Sequence, residues 1–369
     1  MGYELWAHSS QLQAHSLRIT NYELRNYKET LVGIGLAAAG LVFALIVAEA
    51  ALRVGWKNPY RREAPDLSLR LRLHHPGADH TLDRSLINPE QPRVRFRTDD
   101  RGYIVPSRRF PKPDYTLLFL GGSVTECIAV AETLRFPAQV SFLLEQRGLK
   151  VNTLNAGHSG NTIHDALNIL LNYALTDSPD VAILMHVHND LGVLRRDPAY
   201  RTRMALPVSL NDAARYLLQE ASHASYLVAC LRKFATQRQG IKPDPRGYQR
   251  DYTVEPGQFR SRLEIFIHIC RAFGIIPVLM TEPVASFRTD LTPGWIDQTA
   301  HSQFNDLIRE VCAAGGVNLI DLESYVRAIP GYDRPNELFY DGVHLTDKGS
   351  QLYAKFIAAM LADTVLTPK

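Results

Sequence analysis

Five short apolar runs recur along the C-terminal two-thirds of the chain, at 116–120, 151–154, 181–185, 276–280 and 317–320. They are rich in Val, Ile and Leu and apolar at successive positions, not alternate ones. A strand that is apolar on both faces is covered on both faces, as in a parallel sheet. Between the runs the period changes. Ile163, Leu167, Leu170, Leu171 and Ala174 make one helical stripe, and Leu352, Phe356, Ile357 and Met360 make another. Thr346 is placed to N-cap the second stripe. Strands alternating with helices predict an α/β fold, a three-layer α/β/α domain over 113–369 with a five-stranded, mainly parallel sheet. The alternation breaks at 191–255, where a helix is expected near 211–235 ahead of a polar Gly/Pro stretch at 239–249. Such an insertion leaves the third strand at the edge where open α/β sheets bind ligands, and is read as a cap over the site.

The N-terminal third reads differently. Residues 1–30 are polar and aromatic without a strong period. Residues 31–48 then carry no charge, and the apolar character continues to Leu52 with Glu49 as its one interruption. Eighteen helical residues cover roughly 27 Å, close to the thickness of a bilayer's hydrocarbon core. A single transmembrane helix at 31–52 is therefore expected. The competing readings are a buried core helix, which nothing upstream would cover, and a signal peptide, for which Ala48-Glu49-Ala50 loosely fits a cleavage site. Gly33, Ala37, Gly40 and Ala44 give the small-residue spacing that lets a partner helix approach. Residues 53–112, rich in Arg, Pro and Asp, read as a linker and lead-in, with a short strand around Arg93-Val94-Arg95-Phe96.

Composition adds little to this outline. The chain has 369 residues, 46% hydrophobic and 21% charged, with a net charge of +3, so nothing marks a nucleic-acid surface. The four cysteines, Cys127, Cys230, Cys270 and Cys312, form no Cys-x-x-Cys pair, which argues against a structural zinc site and leaves pairing open. Basic residues are slightly more numerous after the apolar segment (Arg53, Lys57, Arg61, Arg62, Arg70) than before it (Arg18, Arg25, Lys28), which by itself places the large domain in the cytoplasm.

Four strings carry candidate chemistry. Ser123 follows the first strand in Leu-Phe-Leu-Gly-Gly-Ser-Val-Thr-Glu, where a helix starts. Alone it reads equally as a capping serine. Residues 341–344, Asp-Gly-Val-His, change that reading: Asp341 can reach back to His344 and hold its ring so that the far nitrogen faces a serine hydroxyl. Asn-Ala-Gly-His-Ser-Gly at 155–160 and His-Val-His-Asn-Asp at 186–190 end the second and third strands. A glycine N–H and an asparagine amide there can join the Ser123 N–H on a developing oxyanion. Taken singly, each string also reads as an ordinary turn.

Together the strings resemble the sequence blocks of the SGNH hydrolases, the GDSL-like esterases, over about 115–362. Gly121-Gly122-Ser123 resembles the block-one Gly-Asp-Ser, Gly160 the oxyanion glycine of block two, and Asn189-Asp190 the end of the block-three Gly-x-Asn-Asp, with Val187 in place of its glycine. Asp341 and His344 complete the Asp-x-x-His block, and 96–103, Phe-Arg-Thr-Asp-Asp-Arg-Gly-Tyr, is similar to the lead-in of membrane-anchored bacterial members. The resemblance implies a flavodoxin-like SGNH fold and a serine esterase without cofactor or metal. It implies Ser123 as nucleophile, His344 as base, Asp341 as orienting carboxylate, and Ser123, Gly160 and Asn189 as the oxyanion hole. The implied substrate is an ester-bearing small molecule or an O-acetylated cell-envelope glycan, which would put the domain outside the membrane.

Three rival readings accompany this one. His158, His186, His188, Asp190 and His344 could hold a metal ion. An O-acyltransferase would use the same serine to pass an acyl group to a sugar hydroxyl, with the anchor docked on a membrane protein partner. A non-catalytic glycan-binding or scaffold module would stack sugars on Tyr248, Tyr252, Trp295 or Tyr340.

Overall fold

The computed structural model describes residues 2–58, 71–195, 200, 210–238, 256–285 and 298–366. It divides into two units, Met1–Asp66 with Leu206–Gly247, and Leu67–Ala205 with Tyr248–Lys369.

The larger unit holds a five-stranded sheet of β3 (Tyr115–Gly121), β4 (Val151–Asn155), β5 (Val181–Met185), β6 (Ile276–Met280) and β7 (Asn318–Ile320). Its order is β4-β3-β5-β6-β7, every pairing parallel. The sequence-based expectation of a parallel five-stranded sheet is met strand for strand, because the central runs are buried on both faces. Along β3, Leu117 and Phe119 face one core and Leu118 and Leu120 the other, all at most 1% exposed. One face is covered by α3 (Phe136–Glu145), α10 (Leu322–Arg327) and α11 (Asp347–Thr364); the other by α4 (Ile163–Asn172), α8 (Gly257–Ala272) and α9 (Gln298–Gly315). Thr346 does cap α11, its hydroxyl accepting from the Gly349 N–H. The strand order reverses between β3 and β5, and that switch point is where an open α/β sheet forms a ligand crevice at the strands' carboxyl ends.

The lead-in is part of this unit. Strands β1 (Asp79–Asp83) and β2 (Arg93–Arg97) form an antiparallel ladder. Ile104 donates to the Asn155 carbonyl (3.0 Å), and buried Arg84 reaches Asp347 at the start of α11 (2.9 Å).

The second unit consists of helices. Helix α1 (Gly2–Gly55) contains a 29-residue stretch, Tyr27–Gly55, long and apolar enough to cross a membrane, with no buried residues in its most apolar window. The helix expected near 211–235 is two helices, α6 (Leu210–Ala224) and α7 (Tyr226–Arg238). The break at Ser225 has a tertiary cause. Glu49 of α1 accepts hydrogen bonds from Ser225 Oγ (2.9 Å), Tyr226 N (3.0 Å) and Leu227 N (2.8 Å), ending one helix and starting the next. Residues 196–199, 201–209 and 239–255 of the expected insertion lie outside the described residues, and with them Tyr248 and Tyr252, as does Trp295.

Candidate active site

Strand β3 delivers its chain to the sheet edge at Gly121 and Gly122, and α2 (Ser123–Glu126) begins at once. Close approach explains the glycine at 122: a Cβ there would sit 2.6 Å from Asn189 Nδ2. Ser123 is thus held against the end of β5.

The string at 341–344 forms a tight turn before α11. Gly342 adopts φ +86°, which a side chain would strain. Asp341 Oδ1 accepts from the Val343 N–H (3.1 Å) and the His344 N–H (2.8 Å). Its Oδ2 lies 2.6 Å from His344 Nδ1, and His344 Nε2 lies 2.7 Å from Ser123 Oγ. Burial acts to raise the Asp341 pKa, but bonds from His344 and the two backbone donors outweigh it and hold the carboxyl below its usual range. The Tyr340 ring stacks on the imidazole, centroids 5.6 Å apart, and the Tyr340 N–H donates to the His344 carbonyl (3.0 Å). Tyr340, considered in sequence as a sugar platform, is therefore engaged with His344.

Asn189 sits in α5 (His188–Leu194), which follows β5. Its Nδ2 donates to the Asn161 carbonyl (2.9 Å), leaving the amide's second hydrogen for another acceptor. Gly160 precedes Asn161 in the loop after β4, where Arg72 binds the Ser159 carbonyl (2.7 Å) and Asn161 Oδ1 (2.9 Å). A pocket opens between these elements, lined by residues that include Ser123, His186, His188, Asn189, Glu282 and Val343. Ser123, His344, Asp341 and Asn189 are thus brought together, with Gly160 in the adjoining loop; of these five, Ser123 and Asn189 line the pocket.

Three further carboxylates, to which the sequence assigned no part in the esterase site, support these loops. Glu282, just past β6, accepts from Val187 N (2.7 Å) and His188 N (3.3 Å). Burial raises its pKa to about 7 against those donors. Asp190 accepts from Tyr200 Oη (2.7 Å) and Ile163 N (3.1 Å), and burial raises it to about 7 as well. Glu126 pairs with His74 (2.9 Å) and receives the Ser159 hydroxyl; although burial opposes it, these bonds keep its pKa lowered. Asp190 adjoins Asn189 and Glu126 ends the Ser123 string, but their partners, like Glu282 itself, are found only through long-range packing.

The histidines considered as metal ligands take separate places. His158 stacks on His74 (4.6 Å), His186 Nδ1 lies 3.6 Å from Asp190, and His344 bridges Ser123 and Asp341. His188 is pushed down to about 4 by burial and by the neighbouring charge of His344. Among the described residues no group of three or more His, Cys, Asp or Glu is placed to hold a metal ion.

Residues 119–352 match the model of the GDSL-like lipase/acylhydrolase family. No curated protein matches the chain. Among solved structures, a lipase/acylhydrolase from Enterococcus faecalis is 22% identical, covering 69% of this chain and 98% of its own at a TM-score of 0.44. The acetyl xylan esterase AlAXEase is 18% identical, covering 67% and 100%, with a TM-score of 0.44. Axe2, an acetylxylan esterase from Geobacillus stearothermophilus, is 16% identical, covering 68% and 95%, with a TM-score of 0.43.

Proposed function

Because the chain belongs to the GDSL-like lipase/acylhydrolase family and is an ester hydrolase of the SGNH type, we propose that Ser123, His344 and Asp341 are its catalytic triad, removing small acyl groups, O-acetyl above all, from a cell-envelope glycan. The observation that carries this reading is the unbroken series from Asp341 through both imidazole nitrogens to Ser123 Oγ, with links of 2.6 and 2.7 Å. Ser123 Oγ attacks the ester carbonyl as its proton passes to His344 Nε2. Asp341 steadies the imidazolium from the other side. The Ser123 N–H, the Gly160 N–H and the second Asn189 amide hydrogen meet the oxyanion. His344 returns the proton to the departing alcohol, then takes one from water as that water attacks the acyl-serine, restoring Ser123.

The AlAXEase and Axe2 structures bear the names of acetyl xylan esterases, in line with an acetylated sugar here. The apolar stretch Tyr27–Gly55 is read as a retained single span, not a cleaved signal, since Glu49 within it caps α7. The catalytic unit then works on the outer side, where envelope glycans are.

Ser123→Ala is the direct test. Hydrolysis of p-nitrophenyl acetate falls at least about a thousandfold. Turnover equal to the parent's would remove Ser123 from the chemistry. With an acetylated glycan donor, acetate released to water marks an esterase, and acetyl appearing on an acceptor sugar marks the transferase reading.

A further inference from the structure

The helical pair α6–α7 carries two apolar stripes that face outward. On α6, Ala214, Leu217, Leu218 and Ala221 recur at helical spacing and all are exposed, Leu217 by 67% and Leu218 by 52%. On α7, Leu231 and Phe234 are each 62% exposed. The opposite side of the pair is the one that packs: Ser222, Tyr226 and Ala229 are buried. A pair of amphipathic helices that points its large apolar residues into water has its partner elsewhere.

The position of the pair on α1 identifies that partner. Residues 31–48 fill a hydrocarbon thickness, which brings Glu49 to the level where acyl chains give way to headgroups. A carboxylate at that depth is costly without donors. Glu49 meets them at the turn between α6 and α7, in Ser225 Oγ and the Tyr226 and Leu227 N–H groups, and pairs with Arg53 at 2.9 Å. The turn between the two helices is therefore fixed at the membrane boundary. Trp56 packs edge-on against Tyr226 (6.3 Å), and Lys233 Nζ lies 5.8 Å from the Trp56 ring. Arg53, which binds the Ala224 carbonyl (3.0 Å) and lies over the Tyr226 ring, and Lys233 add positive charge beside this turn, as anionic headgroups favour. An apolar stripe, an aromatic pair and basic residues beside the end of a span are the features of a helix lying in the interfacial plane.

We infer that α6–α7 is an interfacial collar: its apolar stripes sink into the lipid surface around α1, and Glu49 fastens it there. The occupant of the stripes is lipid, because the same unit already carries the apolar span and the stripes adjoin the end of that span. The inference rests on α1 crossing a membrane and is independent of the ester chemistry.

The test uses the full chain in vesicles of phosphatidylethanolamine and phosphatidylglycerol, with the photocrosslinker p-benzoylphenylalanine placed singly at Leu217, Leu231 or Phe234. Leu41, in the apolar part of α1, is the lipid reference, and Arg147, exposed on the other unit, is the water reference. These are outward-facing positions, and circular dichroism confirms that each variant is folded. The expected result is lipid adducts at all three sites in yields like that of Leu41 and several-fold above that of Arg147. Yields at the level of Arg147, with Leu41 labelled, overturn the collar. So do adducts to a second copy or, in isolated membranes, to another protein. Absence of lipid adducts at Leu41 removes the span and the collar with it.

Discussion

Asp341→Asn isolates the orienting role of the carboxylate while keeping its shape. Asparagine Oδ1 can still accept from the Val343 and His344 N–H groups, now at 3.1 and 2.8 Å, so the turn should survive. The other face is different. In place of the oxygen that lies 2.6 Å from His344 Nδ1, an NH₂ would stand as a donor. The imidazole would answer by keeping Nδ1 unprotonated and carrying its hydrogen on Nε2, the atom that must receive the Ser123 proton. Two losses add. Removing a charge-assisted hydrogen bond from the developing imidazolium costs about 1.5–3 kcal/mol. Forcing the tautomer costs more, and together they should reach about 4–5.5 kcal/mol, a loss of roughly 10³–10⁴ in kcat/KM. The assay is p-nitrophenyl acetate hydrolysis across pH, alongside a thermal melt. A folded Asp341→Asn protein that loses less than about tenfold would refute the view that this carboxylate sets the imidazole, whatever the distances.

Asn189→Ala should lower kcat by about 10²–10³ with KM little changed, as expected of a donor used mainly in the transition state; a change confined to KM would argue against that role. Gly122→Ala forces a Cβ to within 2.6 Å of Asn189 Nδ2, so it should reproduce the Asn189→Ala loss and add little to it in the double variant, which stopped-flow kinetics can check. Glu282→Gln addresses pH. The Glu282 carboxyl is raised to about 7 in the folded chain from an ordinary value of 4.5, so the folded state holds a proton that the unfolded state releases, and its contribution to stability declines as pH rises between those values. Relative to the parent, Glu282→Gln should therefore gain in Tm between about pH 4.5 and 7, and a parallel pair of Tm–pH curves would contradict the assignment.

The sheet was legible because its central strands are buried on both faces, so a run such as Val181–Met185 has no polar position to blur it. The Ser123 and Asp341–His344 strings were legible because their geometry is local, a strand-to-helix turn and a three-residue reach. Two features were not. The local signal of a helix break in 210–238 is Ser225 itself, whose hydroxyl accepts from the Val228 N–H (3.2 Å), but the partner that fixes the break, Glu49, is 176 residues away. Val187, where the family pattern has glycine, looked like a departure. Val187 keeps a negative φ, −147° with ψ −57°, and its side chain is fully buried, so the position accommodates a side chain in this chain. What the turn does need is an acceptor for the Val187 and His188 N–H groups, and Glu282 supplies it from just past β6, the strand that pairs with β5.

The buried carboxylates also pose an electrostatic question for the proposed reaction. Asp341, Glu126, Asp190 and Glu282 each fix a loop at the carboxyl edge of the sheet, by accepting from 343 and 344, from Ser159, from Ile163, and from 187 and 188 respectively. Four negative charges around a point where an oxyanion forms would oppose it. Each is offset in a different way. Glu126 faces His74 at 2.9 Å, and Asp341 faces the imidazole that becomes cationic as Ser123 attacks. Asp190 and Glu282 rise to about 7 through burial, so below that pH each is mostly a neutral acid whose carbonyl oxygen still accepts the loop N–H. The arrangement keeps the hydrogen bonds that position the oxyanion donors while removing much of the charge that would work against them.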